Sequence, residues 1–159
     1  KRLFDIVASL SGILLLSPLL FAVAIAIKIE DPAGPVIYRN RRVGKNGVEF
    51  DLYKFRYMRW EYCVKDAYGI RHEDDTALAY ERELISRQSH RSGPIYKIRN
   101  DPRKTRIGTL IERYSIDELP QLFNVLTGEM SLVGPRPHQP REVAQYDEQA
   151  DESLLLSRG

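Results

Sequence analysis

The chain divides into one long uncharged stretch and a polar remainder. Residues 6–27 contain no Asp, Glu, Lys or Arg, and their apolar side chains would cover all sides of a helix rather than one stripe. That pattern is typical of a segment in contact with lipid. As one helix, rising about 1.5 Å per residue, the run would reach roughly 33 Å, close to the roughly 30 Å of a hydrocarbon core.

The middle of this stretch carries a helix-breaking pair. Pro18 removes one helical hydrogen bond, and the hydroxyl of the neighbouring Ser17 can bond the freed backbone carbonyl. Basic residues flank both ends of the run, at positions 1 and 2 before it and at 28, 39, 41, 42 and 45 after it. The positive-inside rule therefore gives no preference between the ends, and both look cytoplasmic.

These observations predict a re-entrant helix-break-helix over residues 1–30, which enters the membrane, bends at Ser17-Pro18 and returns to the same face. A kinked single-pass anchor is the alternative. A cleavable signal peptide is disfavoured, because the run is longer than a usual signal core and no small-x-small cleavage site follows it.

The pattern after residue 31 predicts a small sheet. Residues 36–39 and 48–55 have the character of strands, and the turn at 44–47 between them makes a β-hairpin beside the membrane. Residues 60–94 are polar and irregular, with a helical candidate at 76–86, and we interpret them as an insert.

Helical signals resume further along, at residues 102–113, 116–126 and 140–150, with Gly128 closing the second of these helices. The predicted fold class is α+β, with the re-entrant segment at 1–30 followed by an α-rich catalytic domain at 31–159.

Composition narrows the function classes. Lys and Arg total 24 against 22 Asp and Glu, a net charge of +2, which is too balanced for a general nucleic-acid-binding surface. The single Cys63 excludes an internal disulfide and a multi-cysteine metal site. His72, His90 and His138 do not have metal-ligand spacing. Any catalysis is therefore expected to use carboxylates and basic side chains.

The densest group of polar residues surrounds Asp117 and Glu118. Ser115 and Glu118 have capping-box spacing, which predicts a helix starting there with both acids in its first turn. The acids could simply complement the helix dipole. Alternatively, because adjacent helical side chains diverge by about 100°, one carboxylate could attack a substrate while the other holds a metal.

Basic residues near other turns could bind an anion. Gly134-Pro135-Arg136-Pro137 either presents a guanidinium rigidly to a phosphate or is simply a turn. Lys54 and Arg56 flank Phe55 at the end of the hairpin and would share a face if the strand alternates. With Arg136 they could line an anionic pocket.

Taken together, these motifs resemble the bacterial sugar transferase family, the monotopic phosphoglycosyl transferases that start glycan assembly on polyprenyl phosphate. The resemblance runs from Lys1 to about Tyr146, and because members of the family normally continue further, it implies that part of the C-terminal region of the domain at 31–159 is missing. The shared segments, in chain order, are 1–5, Ser17-Pro18, 34–38, 42–44, 53–58, 115–128 and 130–137.

The resemblance implies a chemistry for the acidic pair. Asp117 would be the nucleophile, attacking the β-phosphate of a UDP-sugar to form an aspartyl phosphosugar and release UMP. Glu118 would bind Mg²⁺ as the cofactor, and polyprenyl phosphate would then accept the sugar phosphate. Lys54 and Arg136 would neutralise phosphates, with Arg56 as a further candidate. Members often carry a basic residue five positions before the aspartate; Glu112 stands there, so Arg113 is carried over instead.

The resemblance also implies a place in the cell: the inner membrane of a bacterium, with the catalytic domain facing the cytoplasm. The expected partners are the UDP-sugar donor, the polyprenyl phosphate acceptor, membrane lipid and downstream glycosyltransferases, with no nucleic acid. The alternative function is a non-catalytic membrane-anchored scaffold, whose basic hairpin would recruit partners or anionic lipid.

Overall fold

The structure is a computed structural model that describes residues 1–44, 47–65, 68, 76–88, 98, 100–134 and 137. Within these ranges the chain mixes helix and strand, as the α+β prediction requires. Two 3-10 turns, Trp60–Tyr62 and Ile116–Glu118, join the longer elements. Those elements are α1 (Arg2–Glu30), β1 (Ile37–Val43), β2 (Glu49–Phe55), α2 (Thr76–Gln88), α3 (Arg106–Arg113) and α4 (Gln121–Thr127).

The N-terminal segment is one uninterrupted helix, α1, with Pro18 inside it. The Ser17 hydroxyl donates to the carbonyl of Leu14 at 2.8 Å, and this is the acceptor that a proline N–H cannot serve. The predicted break in the helical hydrogen bonding is therefore not found, because Ser17 satisfies the freed carbonyl and the helix continues. The bend at Ser17-Pro18 and the re-entrant course stay proposals.

One side of α1 is strongly apolar and exposed. By length and composition α1 could cross a membrane, since its most apolar window has a mean hydropathy of 2.5 and is only 11% buried. The large hydrophobic side chains left exposed along it are Leu3, Phe4, Val7, Leu10, Leu14, Leu15, Leu19, Phe21, Ile25 and Ile29. An unpartnered apolar surface of this extent is typical of contact with lipid or with another protein.

The opposite side of α1 belongs to the core. Val23 and Ile27 are buried in a cluster with Phe55 at the end of β2 and Ile111 of α3. Burying side chains of this size stabilises the fold by roughly 1.5–3 kcal/mol each. The division at residue 30 into a membrane segment and a catalytic domain stays a prediction, and this shared core crosses that boundary.

β1 and β2 form the predicted antiparallel hairpin, with Ile37 opposite Phe55 and Val43 opposite Glu49. β1 is longer than the predicted strand at 36–39, because its polar second half pairs through the backbone although it lacks an apolar face. The N–H of Gly44 donates to the carbonyl of Val48 at 2.8 Å and closes the pair. Within the described residues the sheet has these two strands, so the outer edge of β2 is free for side chains to bond.

The helix predicted over 102–113 begins later, at Arg106. Thr105 caps it, accepting a hydrogen bond from the N–H of Gly108 at 2.8 Å. The carboxylate of Glu30, at the end of α1, accepts from the N–H groups of Arg106 and Ile107 at 2.7 and 2.8 Å. The C-terminal end of α1 is thereby fixed to the start of α3.

The helix predicted over 76–86 is confirmed as α2, which runs on to Gln88. It is attached through a buried ion cluster: the guanidinium of Arg103 bonds Glu81 of α2 at 3.0 Å and Asp101 at 2.7 Å. The helix predicted over 140–150 lies outside the described residues.

Candidate active site

The short turn between α3 and α4 positions the two acids. Ser115 adopts a left-handed backbone conformation (φ 57°) and its side chain makes no capping hydrogen bond. A 3-10 turn follows over Ile116–Glu118, and α4 begins only after Pro120. The predicted capping box and the helix start at Ser115 are therefore wrong, because the reversal at Ser115 and the proline each delay the helix.

This turn sends the two carboxylates into different surroundings. The Asp117 side chain is 6% exposed and faces β2, whereas the Glu118 side chain is 49% exposed. The predicted divergence of about 100° assumed an α-helix; because a 3-10 turn carries the two acids, it stays a prediction.

Lys54, near the end of β2, joins both acids. Its ammonium lies 2.7 Å from Glu118 Oε1 and 3.5 Å from Asp117 Oδ2, and its side chain is 12% exposed. A largely buried lysine between two carboxylates places a positive charge beside them, and a charge held in this way can stabilise a bound anion.

The pKa of Asp117 is raised above its usual value. Burial is the largest cause, and the negative charges of Glu118 and Glu112 act in the same direction, while the ammonium of Lys54 opposes them. When ionised, a carboxylate with a raised pKa is a stronger base and nucleophile than an exposed aspartate.

Asn124 of α4 fixes the acidic turn against β2. Its side chain is fully buried; the carbonyl oxygen accepts from the N–H of Tyr53 at 2.9 Å, and the amide donates to the carbonyl of Asp51 at 2.8 Å and to Glu129 at 2.8 Å. The amide thus bonds the free edge of β2 as a neighbouring strand would. Because Lys54 follows Tyr53, Asn124 sets the distance between Lys54 and the acids.

Asn124→Ala is expected to lower the free energy of unfolding by about 2–4 kcal/mol, because it leaves the Tyr53 N–H and Asp51 carbonyl without their buried partner. Denaturant titration in detergent measures the change. Asn40→Ala is the control, since no side-chain hydrogen bond of Asn40 is found among the described residues, and it should change stability by less than about 0.5 kcal/mol. Equal effects of the two substitutions would contradict the role given to Asn124.

The chain is similar to known proteins along its whole length. The family model described as bacterial sugar transferase matches residues 1–158. The chain belongs to the bacterial sugar transferase family.

Curated sugar transferase relatives are similar over most of this chain. An undecaprenyl-phosphate glucose phosphotransferase of Komagataeibacter xylinus is 47% identical over 89% of the chain and 21% of its own length. An undecaprenyl-phosphate galactose phosphotransferase of Salmonella typhimurium is 40% identical over the whole chain and 30% of its own length. The exopolysaccharide production protein PSS of Rhizobium leguminosarum is 43% identical over 87% of the chain and 56% of its own length. The chain thus spans between about a fifth and about half of these relatives.

The four basic residues predicted for this sugar transferase site lie in different surroundings. Of the four, Lys54 lies at the acidic pair. Arg113 is exposed, with its guanidinium over the Tyr114 ring at 5.8 Å from the centroid. Arg136 lies outside the described residues.

Arg56 is not brought to the acids. It is buried, its guanidinium bonds the side chain and the backbone carbonyl of Asp31, and it also donates to the carbonyls of Pro35 and Met58. Burial raises the pKa of Asp31, but the N–H of Trp60 and the charge of Arg56 outweigh it and lower that pKa overall. Arg56 therefore holds the end of α1 to the hairpin.

The acidic pair fits a magnesium ion that is bound partly by the protein and partly by substrate phosphates and water. Within the described residues there is no group of three or more potential ligands, so a cage made only of protein is not present there. Mg²⁺ in phosphate-transfer sites commonly uses one or two carboxylates together with substrate phosphates and water. The half-exposed Glu118 carboxylate in this sugar transferase fits that mode.

Sequence reasoning missed Asn124 and the polar residues at the start of α1. Arg2 donates to the carbonyls of Val125 and Leu126 at 2.5 and 2.6 Å, and the Asp5 carboxylate accepts from Ser131 at 2.8 Å. A signal was present in each case, because Asn124 is an amide in the apolar helix segment 121–127 and Asp5 is the last charge before the uncharged run.

Proposed function

We propose that this chain is the catalytic part of a phosphoglycosyl transferase, which moves a sugar 1-phosphate from a UDP-sugar to polyprenyl phosphate. The observation that carries the proposal is the buried Asp117 beside the half-exposed Glu118, both in contact with Lys54. The names of the relatives, which act on undecaprenyl phosphate and glucose or galactose, support the substrate classes. Initiation of exopolysaccharide or a related glycan follows from such an activity.

The chemistry proceeds in two displacements. An Asp117 oxygen attacks the β-phosphorus of the UDP-sugar; the new P–O bond forms as the bond to the bridging oxygen breaks, and UMP leaves. A phosphate oxygen of polyprenyl phosphate then attacks the same phosphorus, and the bond to Asp117 breaks. The product is a polyprenyl diphosphate sugar, and the carboxylate is regenerated.

The remaining groups of the site balance the negative charge of the substrate phosphates. The Lys54 ammonium neutralises phosphate oxygens near Asp117, and Arg136 is a second candidate for this role. Glu118 would hold Mg²⁺, which supplies positive charge against the diphosphate of the donor. As the phosphates arrive, Lys54 exchanges its contact with Glu118 for one with the substrate.

Both ends of α1 are fixed to the polar part of the chain, and this supports a re-entrant or in-plane membrane placement. Arg2 bonds carbonyls at the end of α4, and Glu30 bonds N–H groups at the start of α3. The helix has 29 residues, about 44 Å at 1.5 Å per residue. Because both ends bond the same polar part, the helix cannot cross a bilayer while that part stays on one side.

Cysteine labelling in intact inverted membrane vesicles tests this placement. Cysteines introduced at Lys1 and at the exposed Val48 are expected to react from the same, cytoplasmic face. The native Cys63 should not react with the labelling reagent, since burial raises the pKa of its thiol to about 12. Labelling of the two positions from opposite faces would show a spanning helix and overturn the placement.

The activity is tested with the full-length protein, a panel of UDP-sugars, polyprenyl phosphate and Mg²⁺, by measuring UMP release and lipid-linked product. For Glu118→Gln we expect the Mg²⁺ concentration at half-maximal rate to rise by about tenfold or more, because a carboxylate ligand is lost. Glu49→Gln, an exposed acid of the hairpin, is the control and should behave as wild type. Binding of both substrates with no turnover would favour a scaffold instead.

A further inference from the structure

A shallow pocket of about 280 Å³ opens beside Glu118. Its polar lining residues are Ser115, Gln121 and Ser131 together with Glu118. The rest of the lining is apolar and consists of Leu119, Leu122, Val125, Met130 and Leu132. The pocket therefore combines one carboxylate with an apolar wall contributed by Leu119, by α4 and by the segment after it.

That wall is fixed to the first turns of α1. The N–H of Leu132 donates to Asp5 at 3.2 Å, and the carbonyl of Val125 accepts from Arg2 at 2.5 Å. A side chain at Gly12 would approach Leu122 within 3.3 Å, so the helix backbone passes close to the wall. The apolar wall is thus held by α1, although no residue of α1 is among those that line the pocket.

The neighbouring surface is apolar and exposed. Leu132 lines the pocket and is still 43% exposed, Val133 beside it is 68% exposed, and Leu3 and Phe4 of α1 are exposed in the turn that holds this segment. Exposed apolar side chains therefore lie on the pocket wall and also on the first turn of α1, which bonds that wall through Asp5. A ligand that contacts both this surface and Glu118 needs a hydrocarbon part and a polar end.

We propose that this pocket binds the first isoprene units of the polyprenyl phosphate acceptor, an inference that rests on the proposed function. The anionic end of that acceptor must reach the Lys54 ammonium, which lies 2.7 Å from Glu118. The hydrocarbon chain gains free energy from the apolar wall, whereas a UDP-sugar, polar throughout, gains little there. The wall thus orients the acceptor phosphate toward Asp117 and leads its chain to the membrane.

The test compares kinetic constants for the two substrates in full-length protein. Leu132→Gln and Met130→Gln keep the approximate size of the side chain and remove its apolar character. Each is expected to raise the KM for polyprenyl phosphate by about tenfold and to leave the KM for the UDP-sugar unchanged, because apolar contact is lost only with the acceptor. Leu110→Gln, at an exposed leucine of α3 outside the pocket, should change neither constant.

A photoreactive polyprenyl phosphate, crosslinked to the protein and mapped by mass spectrometry, gives a readout that needs no turnover. Labelling within residues 119–132, reduced by Leu132→Gln, supports the pocket even if no sugar phosphate is transferred, in which case the proposed function alone fails. Active enzyme with an unchanged acceptor KM in both variants, or labelling elsewhere, overturns the pocket. An equal rise in both KM values also overturns it, since that result indicates a general distortion of the site.

Discussion

Asp117→Asn is expected to reduce sugar phosphate transfer by about 10⁴-fold, because the amide has no negative charge with which to attack phosphorus and its geometry is otherwise retained. Formation of lipid-linked product and release of UMP, measured with the full-length protein, should fall together. A reduction in the product with normal UMP release would mean that Asp117 serves only the second displacement.

The same substitution should not destabilise the fold. Burial raises the pKa of Asp117 above its value in the unfolded chain, so the folded state binds the proton more tightly. Stability contributed by this group is present below the unfolded pKa and is lost as pH rises through the folded pKa. At neutral pH the charged Asp117 is therefore unfavourable, and the neutral amide should leave the melting temperature unchanged or raise it.

Glu83→Gln on α2 is the matched control for the loss of an ion-paired carboxylate, since Glu83 lies 2.7 Å from Arg87 outside the site. It should retain wild-type transfer. A folded Asp117→Asn protein that transfers at the wild-type rate would remove Asp117 from the mechanism.

Lys54→Met is expected to lower kcat/KM by about 10²–10³-fold, the usual scale for one preorganised charge at a developing anion. The ammonium of Lys54 lowers the pKa of Asp117 against the raising effects of burial and of Glu118. Its removal raises that pKa further. Because the nucleophile must be ionised, the acidic limb of the profile of kcat/KM against pH should move to higher pH.

Lys104→Met is a suitable comparison, because Lys104 is also a largely buried lysine paired with a carboxylate, Glu112, at 2.6 Å. It lies at the start of the α3 segment and should lower activity far less than Lys54→Met. A Lys54→Met protein with reduced rate but an unshifted acidic limb would show that Lys54 does not act on Asp117.

Much of the local structure could be predicted from the pattern of residues. Strand-like segments on both sides of a glycine-bounded turn predicted the hairpin. The uncharged run predicted a long helix where α1 lies. Asp117 and Glu118 could also be singled out as candidates, since they lie in the densest group of polar residues, although the resemblance rather than the spacing gave them their proposed roles.

Other features depended on tertiary contacts that no local pattern contains. Arg56 shares the sequence context of Lys54, but Asp31, 25 residues away, binds its guanidinium and removes it from the site. Ser115 has the spacing of a cap, but its left-handed backbone rules out that role. Asn124 became visible as a positioning residue only when α4 was seen to lie along the free edge of β2.

The most direct test of the account is a single-turnover incubation of the full-length protein with a UDP-sugar labelled at the β-phosphate, without acceptor. The account predicts label bound covalently to the peptide containing Asp117, one UMP released for each label, and discharge of the label when polyprenyl phosphate is added. Asp117→Asn should trap none. Transfer that requires both substrates together, with no label on the wild-type protein at any time, would contradict the covalent mechanism.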